Sequence, residues 1–209
     1  MPRTAKPTRE RIVAAAIKLF YGEGIRRVSM DAVAAKAGVT KRTLYYHFKS
    51  KDELAIAAAG HFSAMADGLF ATAPYHQAED PLERLLGYVD FRAAILNGEL
   101  PDYTCLLGTL VQETYDSHPA IRAACDQGMS SHIAALTRDV AAAKARYAPD
   151  AAWSAESVGY FIQAVLQGSF IFAKAKQNSA VIRENLSHLR RYLSVLFPQP
   201  RHSSRKDKS

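Results

Sequence analysis

The stretch VTKRTLYYHFKSKDEL, residues 39–54, places aromatic side chains among lysines and an arginine in a short segment. It follows Gly38, a residue type that commonly ends helices. Thr40 is a residue type that favours the N-cap position of a helix. We therefore expect a short helix that begins after Thr40, runs to about Tyr46 and carries basic side chains in its first turn.

The sequence before this stretch predicts a second short helix that ends at Gly38. Ser29 is a suitable N-cap, and small apolar residues recur after it at helical spacing. Two short capped helices joined by a tight turn are typical of a helix-turn-helix motif. Leu44 and Phe48 lie about one helical turn apart and are expected to pack inward. The second helix of such a motif enters the major groove of DNA with its N-terminus first.

The residue types in this predicted reading helix suit contacts with DNA. Lysine and arginine donate to guanine, and a threonine methyl group can contact a thymine methyl group. Tyrosine and histidine side chains at the far end of the helix can reach sugar and phosphate. Lys51, at the start of the next helix, is predicted to bind a phosphate. The candidate residues are Thr40, Lys41, Arg42, Thr43, Tyr45, Tyr46, His47 and Lys51. For His47, a hydrogen bond that holds the helix end is an equal alternative.

The charge of the chain is divided unevenly along its length. Residues 1–51 carry twelve lysines and arginines against three acidic residues, a net charge of +9. Residues 52–200 have a net charge of −5, and residues 201–209 have a net charge of +3. A basic first quarter on an acidic body is typical of a nucleic-acid-binding module joined to another domain. A solvated basic surface without a partner would give the same charges.

Residues 9–54, RERIVAAAIKLFYGEGIRRVSMDAVAAKAGVTKRTLYYHFKSKDEL, resemble the DNA-binding domain of the TetR family of transcriptional regulators. The resemblance rests on the segments LF..G, S.D.VA..AGV and LYYHFKSKDEL. It implies base contacts from Lys41, Arg42, Thr43 and Tyr45. It also implies phosphate contacts from Ser29, Tyr46, His47 and Lys51.

The rest of the chain is predicted to be helical. Proline or glycine marks most junctions, and no segment shows the alternation of a strand. We expect an all-α fold of about nine helices, with a three-helix helix-turn-helix domain followed by the effector-binding and dimerisation domain that the resemblance implies. The predicted parts are a flexible basic N-terminus (1–7), the DNA-binding domain (8–54), the effector-binding and dimerisation domain (55–197) and a disordered tail (198–209).

The last two helices are predicted to form the interface of a homodimer. Residues 158–175, VGYFIQAVLQGSFIFAKA, are too apolar for a helix that faces water on one side. The family resemblance implies a four-helix interface, and two reading helices imply a near-palindromic operator. The alternative is a core helix inside a monomer. The candidate interface residues are Gly168, Phe172, Leu186, Leu189 and Leu193.

The effector site is predicted less directly, from aromatic residues in the C-terminal domain. Aromatic side chains at helical spacing are more often core residues than ligand contacts. Few charged residues accompany them, so we expect a small apolar or aromatic effector. The candidate lining residues are Phe91, Tyr103, Cys105, Thr109, Trp153 and Phe161.

Cys105 has a second interpretation. A cysteine near a helix start lies close to the positive end of the helix, which favours the reactive thiolate. The segment PDYTCLLGTLVQETYDSHP, residues 101–119, resembles the central helix of TetR-type regulators that sense electrophiles or oxidants through a cysteine. Lys174 or Lys176 could approach the thiol. The alternative is a small packing residue, as we expect for Cys125.

Several classes of function find no support in the sequence. No metal-binding, phosphate-binding or dinucleotide-binding motif is present, so neither an enzyme nor a cofactor or metal site is expected. The N-terminus lacks the apolar core of a signal peptide, and a cytoplasmic protein without a membrane span is expected. The sequence predicts a ligand-responsive repressor. An architectural DNA-binding dimer without an effector and a ligand-dependent activator remain alternatives.

Overall fold

The computed structural model describes residues 7–198, and within this range the chain contains ten α-helices, one 3-10 turn at Pro74–Gln77 and no strand. The all-α prediction is therefore confirmed. The helices are α1 (Thr8–Glu23), α2 (Met30–Ala37), α3 (Lys41–His47), α4 (Lys51–Ala71), α5 (Pro81–Ala94), α6 (Leu100–Tyr103), α7 (Leu106–Thr114), α8 (Pro119–Tyr147), α9 (Ala155–Lys176) and α10 (Ala180–Leu196). The flexible N-terminus and most of the disordered tail were predicted for residues that lie outside the described range.

One more helix is found than the nine expected, and the region around Cys105 contributes to the difference. Thr104 and Cys105 adopt extended backbone angles, so α6 ends at Tyr103 and α7 begins at Leu106. We refer to Tyr103, Thr104 and Cys105 together as the α6–α7 corner.

Capping side chains fix the two helices of the helix-turn-helix motif. The Ser29 hydroxyl accepts a hydrogen bond from the backbone N–H of Ala32, and the Thr40 hydroxyl accepts one from that of Thr43. Gly38 ends α2 with a φ of 63°, in the left-handed region that favours glycine. These contacts hold α2 and α3 in the geometry that the sequence predicts.

The α4 helix leads from the N-terminal motif into the rest of the molecule. Its N-cap is Ser50, whose hydroxyl accepts a hydrogen bond from the backbone N–H of Glu53. Within residues 7–198, α4 is also the one helix long and apolar enough to cross a membrane by length and composition alone, with 28% of its most apolar window buried. Its first half packs on α1, and its length packs against α8.

Two hydrophobic clusters form the interior. The N-terminal core joins α1, α2 and α3 to the first half of α4, and it also takes in residues of α7 and the start of α8. The C-terminal core joins α5, α8, α9 and α10. Apolar packing therefore continues past the residue at which we predicted the DNA-binding domain to end. Cys105 contacts both cores.

The α10 helix corrects part of the predicted dimer interface. Leu186, Leu189 and Leu193 are buried within the single chain, where they belong to the C-terminal core and are not available to a second subunit. Their regular spacing reflects an amphipathic helix packed against α5 and α9. Gly168 and Phe172, the other two predicted residues, lie outside this core on α9.

Candidate nucleic-acid interface and effector cavity

The surface of α3 and its flanks presents the predicted reading residues to solvent. Leu44 and Phe48 are fully buried, which turns the opposite face of the helix outward. Tyr45 is 38% exposed and Tyr46 is 77% exposed. Because neither ring is needed to fill the small core, both are positioned to contact an external partner.

Lys41 and Arg42, at the N-terminus of α3, differ in their contacts. The Lys41 ammonium lies 3.0 Å from the Asp31 carboxylate of α2, and this hydrogen bond is the main cause of a raised pKa for Lys41. The pair is exposed to water, so the lysine can exchange this partner for another at small cost. Arg42 is exposed and forms no ion pair with the described residues.

Ser29 and His47 lie on either side of this surface. The Ser29 oxygen already accepts the capping hydrogen bond of α2, which leaves its hydroxyl proton for a phosphate. The His47 ring is partly buried and packs edge-on against Tyr46, with 5.2 Å between the ring centres. Both positions are compatible with the predicted phosphate contacts.

Lys51 has different surroundings from those that the sequence suggests. Its ammonium donates to the backbone carbonyls of Ile25, Arg26 and Val28, at 2.9, 3.4 and 3.2 Å. These three acceptors match the three donors of an ammonium group. Lys51 therefore ties the start of α4 to the loop between α1 and α2.

A cavity of about 340 Å³ lies between α4, α5, the α6–α7 corner, α8 and α9. Tyr103 and Cys105, both predicted to line an effector site, do line it. Thr104, the residue between them, also lines the cavity and is 5% exposed.

The other four predicted lining residues lie elsewhere, and each has a packing partner. Trp153 packs edge-on against Phe197, and Thr109 accepts a hydrogen bond from Lys174 at 2.6 Å. Phe91 packs edge-on against the ring of Phe70 and does not itself line the cavity. Phe161 packs against Tyr192 on the outer face of α9 and α10. Phe91 and Trp153 therefore serve in packing, whereas Phe161 is 43% exposed.

A polar network at the cavity was not found from the sequence. Gln163 donates to the Tyr88 hydroxyl at 2.9 Å, and this hydroxyl lies 3.0 Å from Nε2 of His132. Burial, together with the nearby charge of Arg92, lowers the pKa of His132 to about 4, so its ring is neutral near pH 7. The residues come from three helices, and no local pattern in the sequence links them.

The α6–α7 corner is bonded directly to the first helix of the DNA-binding motif. The Tyr21 hydroxyl donates to the carbonyl oxygen of Thr104 at 2.8 Å, and burial raises the pKa of Tyr21. The Lys174 ammonium lies 5.7 Å from the centre of the Tyr21 ring. The wall of the cavity and α1 therefore share a hydrogen bond and a packed surface.

A second connection lies farther from the cavity, between α7 and the turn after α1. The backbone N–H and side chain of Arg26 bond to the Glu113 carboxylate and carbonyl, at 3.3 and 3.0 Å. Arg26 also lies 3.7 Å from the Asp116 carboxylate.

Sequence comparison relates both halves of the chain to known regulators. Residues 12–58 match the family model described as bacterial regulatory proteins of the tetR family. Residues 81–188, more than half of the chain, match the model of the LmrA/YxaF-like transcriptional regulator C-terminal domain. The chain belongs to the TetR family. This family consists of transcriptional regulators and not of enzymes, as the sequence led us to expect.

Individual relatives are HTH-type transcriptional regulators. An uncharacterized HTH-type transcriptional regulator, TtgW from Pseudomonas putida, is 44% identical over 50 residues, which are 24% of this chain and 37% of that protein. The HTH-type transcriptional regulator SrpR, also from Pseudomonas putida, is 42% identical over 50 residues, 24% of each chain. Both matches therefore span well under half of the relatives' length.

Solved structures of TetR-family regulators share the fold over almost the whole chain. A TetR transcriptional regulator from Chloroflexus aurantiacus has a TM-score of 0.79 at 23% identity, covering 90% of this chain and 94% of its own. Reduced NemR from E. coli has a TM-score of 0.74 at 20% identity, covering 88% and 95%. At these identities the likeness concerns the fold alone.

An apolar surface on α9 and α10 is exposed to solvent in the single chain. Phe172 is 56% exposed and Val195 is 80% exposed, and Phe161, Ile171 and Tyr192 are also exposed. Gly168 lies in this surface, and a side chain at its position would meet nothing within 4 Å. We call Phe161, Gly168, Phe172, Tyr192 and Val195 the α9–α10 face.

Proposed function

We propose that this chain is a cytoplasmic, homodimeric repressor that leaves a near-palindromic operator when a small molecule or an electrophile acts on the cavity. The observation that carries the proposal is the hydrogen bond between Tyr21 and the carbonyl of Thr104. It joins the helix that supports the reading motif to a residue of the cavity wall.

The proposed release follows from linkage between two sites. A ligand that moves the α6–α7 corner changes the position of α1, and α2 packs directly on α1. If the ligand binds better to the conformer whose reading helices are badly spaced, it must weaken DNA binding. By the same factor, DNA then weakens binding of the ligand.

A covalent route to the same movement is supported by the position of Cys105. Its thiol is partly exposed, lines the cavity and contacts both hydrophobic cores. A group attached to this sulfur adds volume where the two cores meet, and closely packed interiors respond to added volume by shifting neighbouring elements. An electrophile and a reversible ligand are thus two effectors of one site.

The proposed homodimer is supported by the α9–α10 face, because exposed apolar patches of this kind mark interaction sites. The exposed Lys41, Arg42 and Tyr46 support the proposed operator contacts. Two copies of so small a reading unit are expected to bind half-sites about one helical turn, ~34 Å, or a multiple apart.

The test begins by sequencing the genomic DNA fragments that the purified protein retains, which identifies the operator. Candidate effectors are then compared by their effect on operator affinity in the parent and in Tyr21→Phe, which removes only the hydroxyl. We expect Tyr21→Phe to bind DNA and ligand but to show at least a fivefold smaller effect of ligand on operator affinity.

Tyr115→Phe is the matched control, because Tyr115 is exposed and its hydroxyl forms no hydrogen bond with the described residues. It should behave as the parent does. Equal ligand effects in the parent and in Tyr21→Phe would contradict the proposed route. Failure of every ligand and electrophile to alter operator affinity would favour the architectural alternative.

A further inference from the structure

Arg92 brings to the cavity a positive charge that has no ion-pair partner among the described residues, although Asp67 and Asp102 also line the space. Its guanidinium lies 5.2 Å from the ring centre of Phe70 and 5.4 Å from that of Phe170, and all three residues line the cavity. Among residues 7–198, no carboxylate oxygen lies within 4.0 Å of it, and it donates no hydrogen bond. Its place in the last turn of α5 is favourable for a cation. The helix end accounts for a positive charge in this turn. It does not account for the position of the Arg92 guanidinium beside two aromatic rings of the cavity wall.

The charge of Arg92 acts on its neighbours across the cavity. Burial raises the pKa of Tyr88, and the charge of Arg92 lowers it. Burial lowers the pKa of His132, and the charge of Arg92 lowers it further. Asp102 is the acidic group of the α6–α7 region that also lines the cavity. Its carboxylate is engaged in a hydrogen bond from the backbone N–H of Glu99, at 2.9 Å.

Further hydrogen-bond donors accompany the guanidinium. Because Gln163 donates to the Tyr88 hydroxyl, the Tyr88 proton is directed to Nε2 of His132. Thr104 adds a hydroxyl that is buried and without a partner in the described part of the chain. Arg92 is the one cation among the residues that line the cavity, and the carboxylates of Asp67 and Asp102 line it as well.

The remaining walls are apolar or aromatic. Phe62, Met65, Met129 and Tyr103 surround the space next to the donors. A volume of about 340 Å³ lies within the range of small-molecule sites and accommodates a flat ligand of one or two fused rings. Methionine side chains adapt readily to the faces and edges of such rings.

We propose that the cavity binds an aromatic monocarboxylate, with the carboxylate on the Arg92 guanidinium and the ring among Phe62, Met65 and Met129. The inference rests on the proposed function, because it names the chemical class of the effector. A planar guanidinium can bind a carboxylate through two parallel hydrogen bonds, and a neutral ligand of the same shape leaves that charge without a partner. Charge therefore selects the ligand, and the apolar walls select its shape.

The test compares 1-naphthoate with 1-naphthamide, which has nearly the same shape but no charge. Binding to the full chain is measured by calorimetry at pH 7, with benzoate and 2-naphthoate as further arylcarboxylates. We expect the carboxylate to bind at least tenfold more tightly than the amide. Arg92→Gln should remove this preference, whereas Arg92→Lys should keep part of it because the charge remains. Arg138→Gln is the matched control, since Arg138 is an exposed arginine that does not line this cavity.

Three outcomes would overturn the inference: equal affinities for the acid and the amide, a preference that survives in Arg92→Gln, or no binding of any arylcarboxylate at millimolar concentration. Operator release is measured separately with 1-naphthoate. Binding with the expected charge preference but without release would leave the ligand class standing and count against the proposed ligand-controlled release. Thermal unfolding of each variant shows whether a loss of binding reflects a loss of structure.

Discussion

At the level of single residues, the three carbonyl oxygens around Lys51 define its role. They belong to the segment between α1 and α2, which contains no helical hydrogen bonds to satisfy them. The contacts with Ile25 and Val28 are partly buried, and a charged donor shared among such carbonyls stabilises a fold more than an exposed ion pair does. Lys51 therefore holds the first turn of α4 against the base of the reading motif.

We predict that Lys51→Met lowers the free energy of unfolding by on the order of 2 kcal/mol, because the carbonyls lose a charged donor. The slope of log affinity against log salt concentration for operator DNA should change by much less than one unit, the amount expected for one lost phosphate contact. The measurements are denaturant unfolding and DNA binding at several salt concentrations. Arg42→Ala provides the contrast: it should leave stability unchanged and relax base preference by about 1–3 kcal/mol per contact. A full unit of slope lost in Lys51→Met would restore the phosphate interpretation.

His132 makes stability depend on pH. Its pKa in the folded chain is about 4, lowered by burial and then by Arg92, whereas an unperturbed histidine titrates near pH 6.5. The unfolded chain therefore binds a proton that the folded chain does not. The contribution of the neutral His132 ring to the stability of the fold is fully present above pH 6.5. It is lost as the pH falls from there toward 4.

We expect the parent to lose about 2 kcal/mol more stability between pH 7 and pH 5 than His132→Gln, which cannot titrate. Denaturant unfolding of both proteins at several pH values measures the difference. Parallel pH profiles would show that the ring of His132 is already accessible to protons in the folded chain.

The capping residues could be predicted from the sequence because their physics is local. Ser29, Thr40 and Ser50 each accept a hydrogen bond from a backbone N–H three residues ahead, and residue type with spacing suffices to find them. Thr8 is different: it is also a residue type that suits an N-cap, but it is the first residue of α1, and Pro7 occupies the N-cap position. The contacts of Lys51 were not predictable, because its partners lie 23 to 26 residues away.

At the level of helices, the division between α6 and α7 decides where Cys105 lies. Cys105 occupies the N-cap of α7, and its sulfur accepts a long hydrogen bond of 3.5 Å from the backbone N–H of Gly108. Its position near a helix start was predictable from Pro101 and the apolar run that follows. The cavity itself was not, because most of its lining comes from α4, α5, α8 and α9, which are far apart in the sequence. Four of the six predicted lining residues therefore lie elsewhere.

We predict that a maleimide labels Cys105 in the folded protein and leaves Cys125 unmodified. Cys125 is fully buried, and burial, followed by the charge of Cys105, raises its pKa to about 11. Mass spectrometry of the labelled parent, Cys105→Ser and Cys125→Ser measures this selectivity. Cys105→Ser should also keep operator binding and lose release by quinones, maleimides or hypochlorite. If Cys105→Ser still releases DNA on treatment as the parent does, the thiol is a packing residue and reversible ligands alone control the protein.

At the level of the whole molecule, burial separates two kinds of apolar residue on α10. The heptad-like spacing of the leucines was visible in the sequence, but spacing alone does not show which partner they face. In the folded chain they fill the C-terminal core, whereas Tyr192 and Val195 remain outside it. The proposed subunit interface therefore uses the opposite side of the same helix.

Two substitutions distinguish the exposed α9–α10 face from the buried C-terminal core. Phe172→Arg places a charge on the exposed α9–α10 face and should give a folded monomer that binds the operator poorly. Leu189→Arg places a charge in the core and should destabilise the fold by about 4 kcal/mol or more. Sedimentation and circular dichroism distinguish a folded monomer from an unfolded chain. A parent protein that sediments as a stable monomer at micromolar concentration would contradict the proposed homodimer.

The separation of the α9–α10 face from the reading helix has a genetic consequence. A mutant chain whose α3 substitutions abolish DNA reading would still carry the intact α9–α10 face, through which the proposed homodimer forms with normal subunits. In a cell that expresses both copies, many dimers then contain one defective reading helix, and a single reading helix supplies only half of the contacts with the operator. Mutations in α3 should therefore behave as dominant alleles. Mutations that remove the α9–α10 face should be recessive, because their products never associate with the normal subunits.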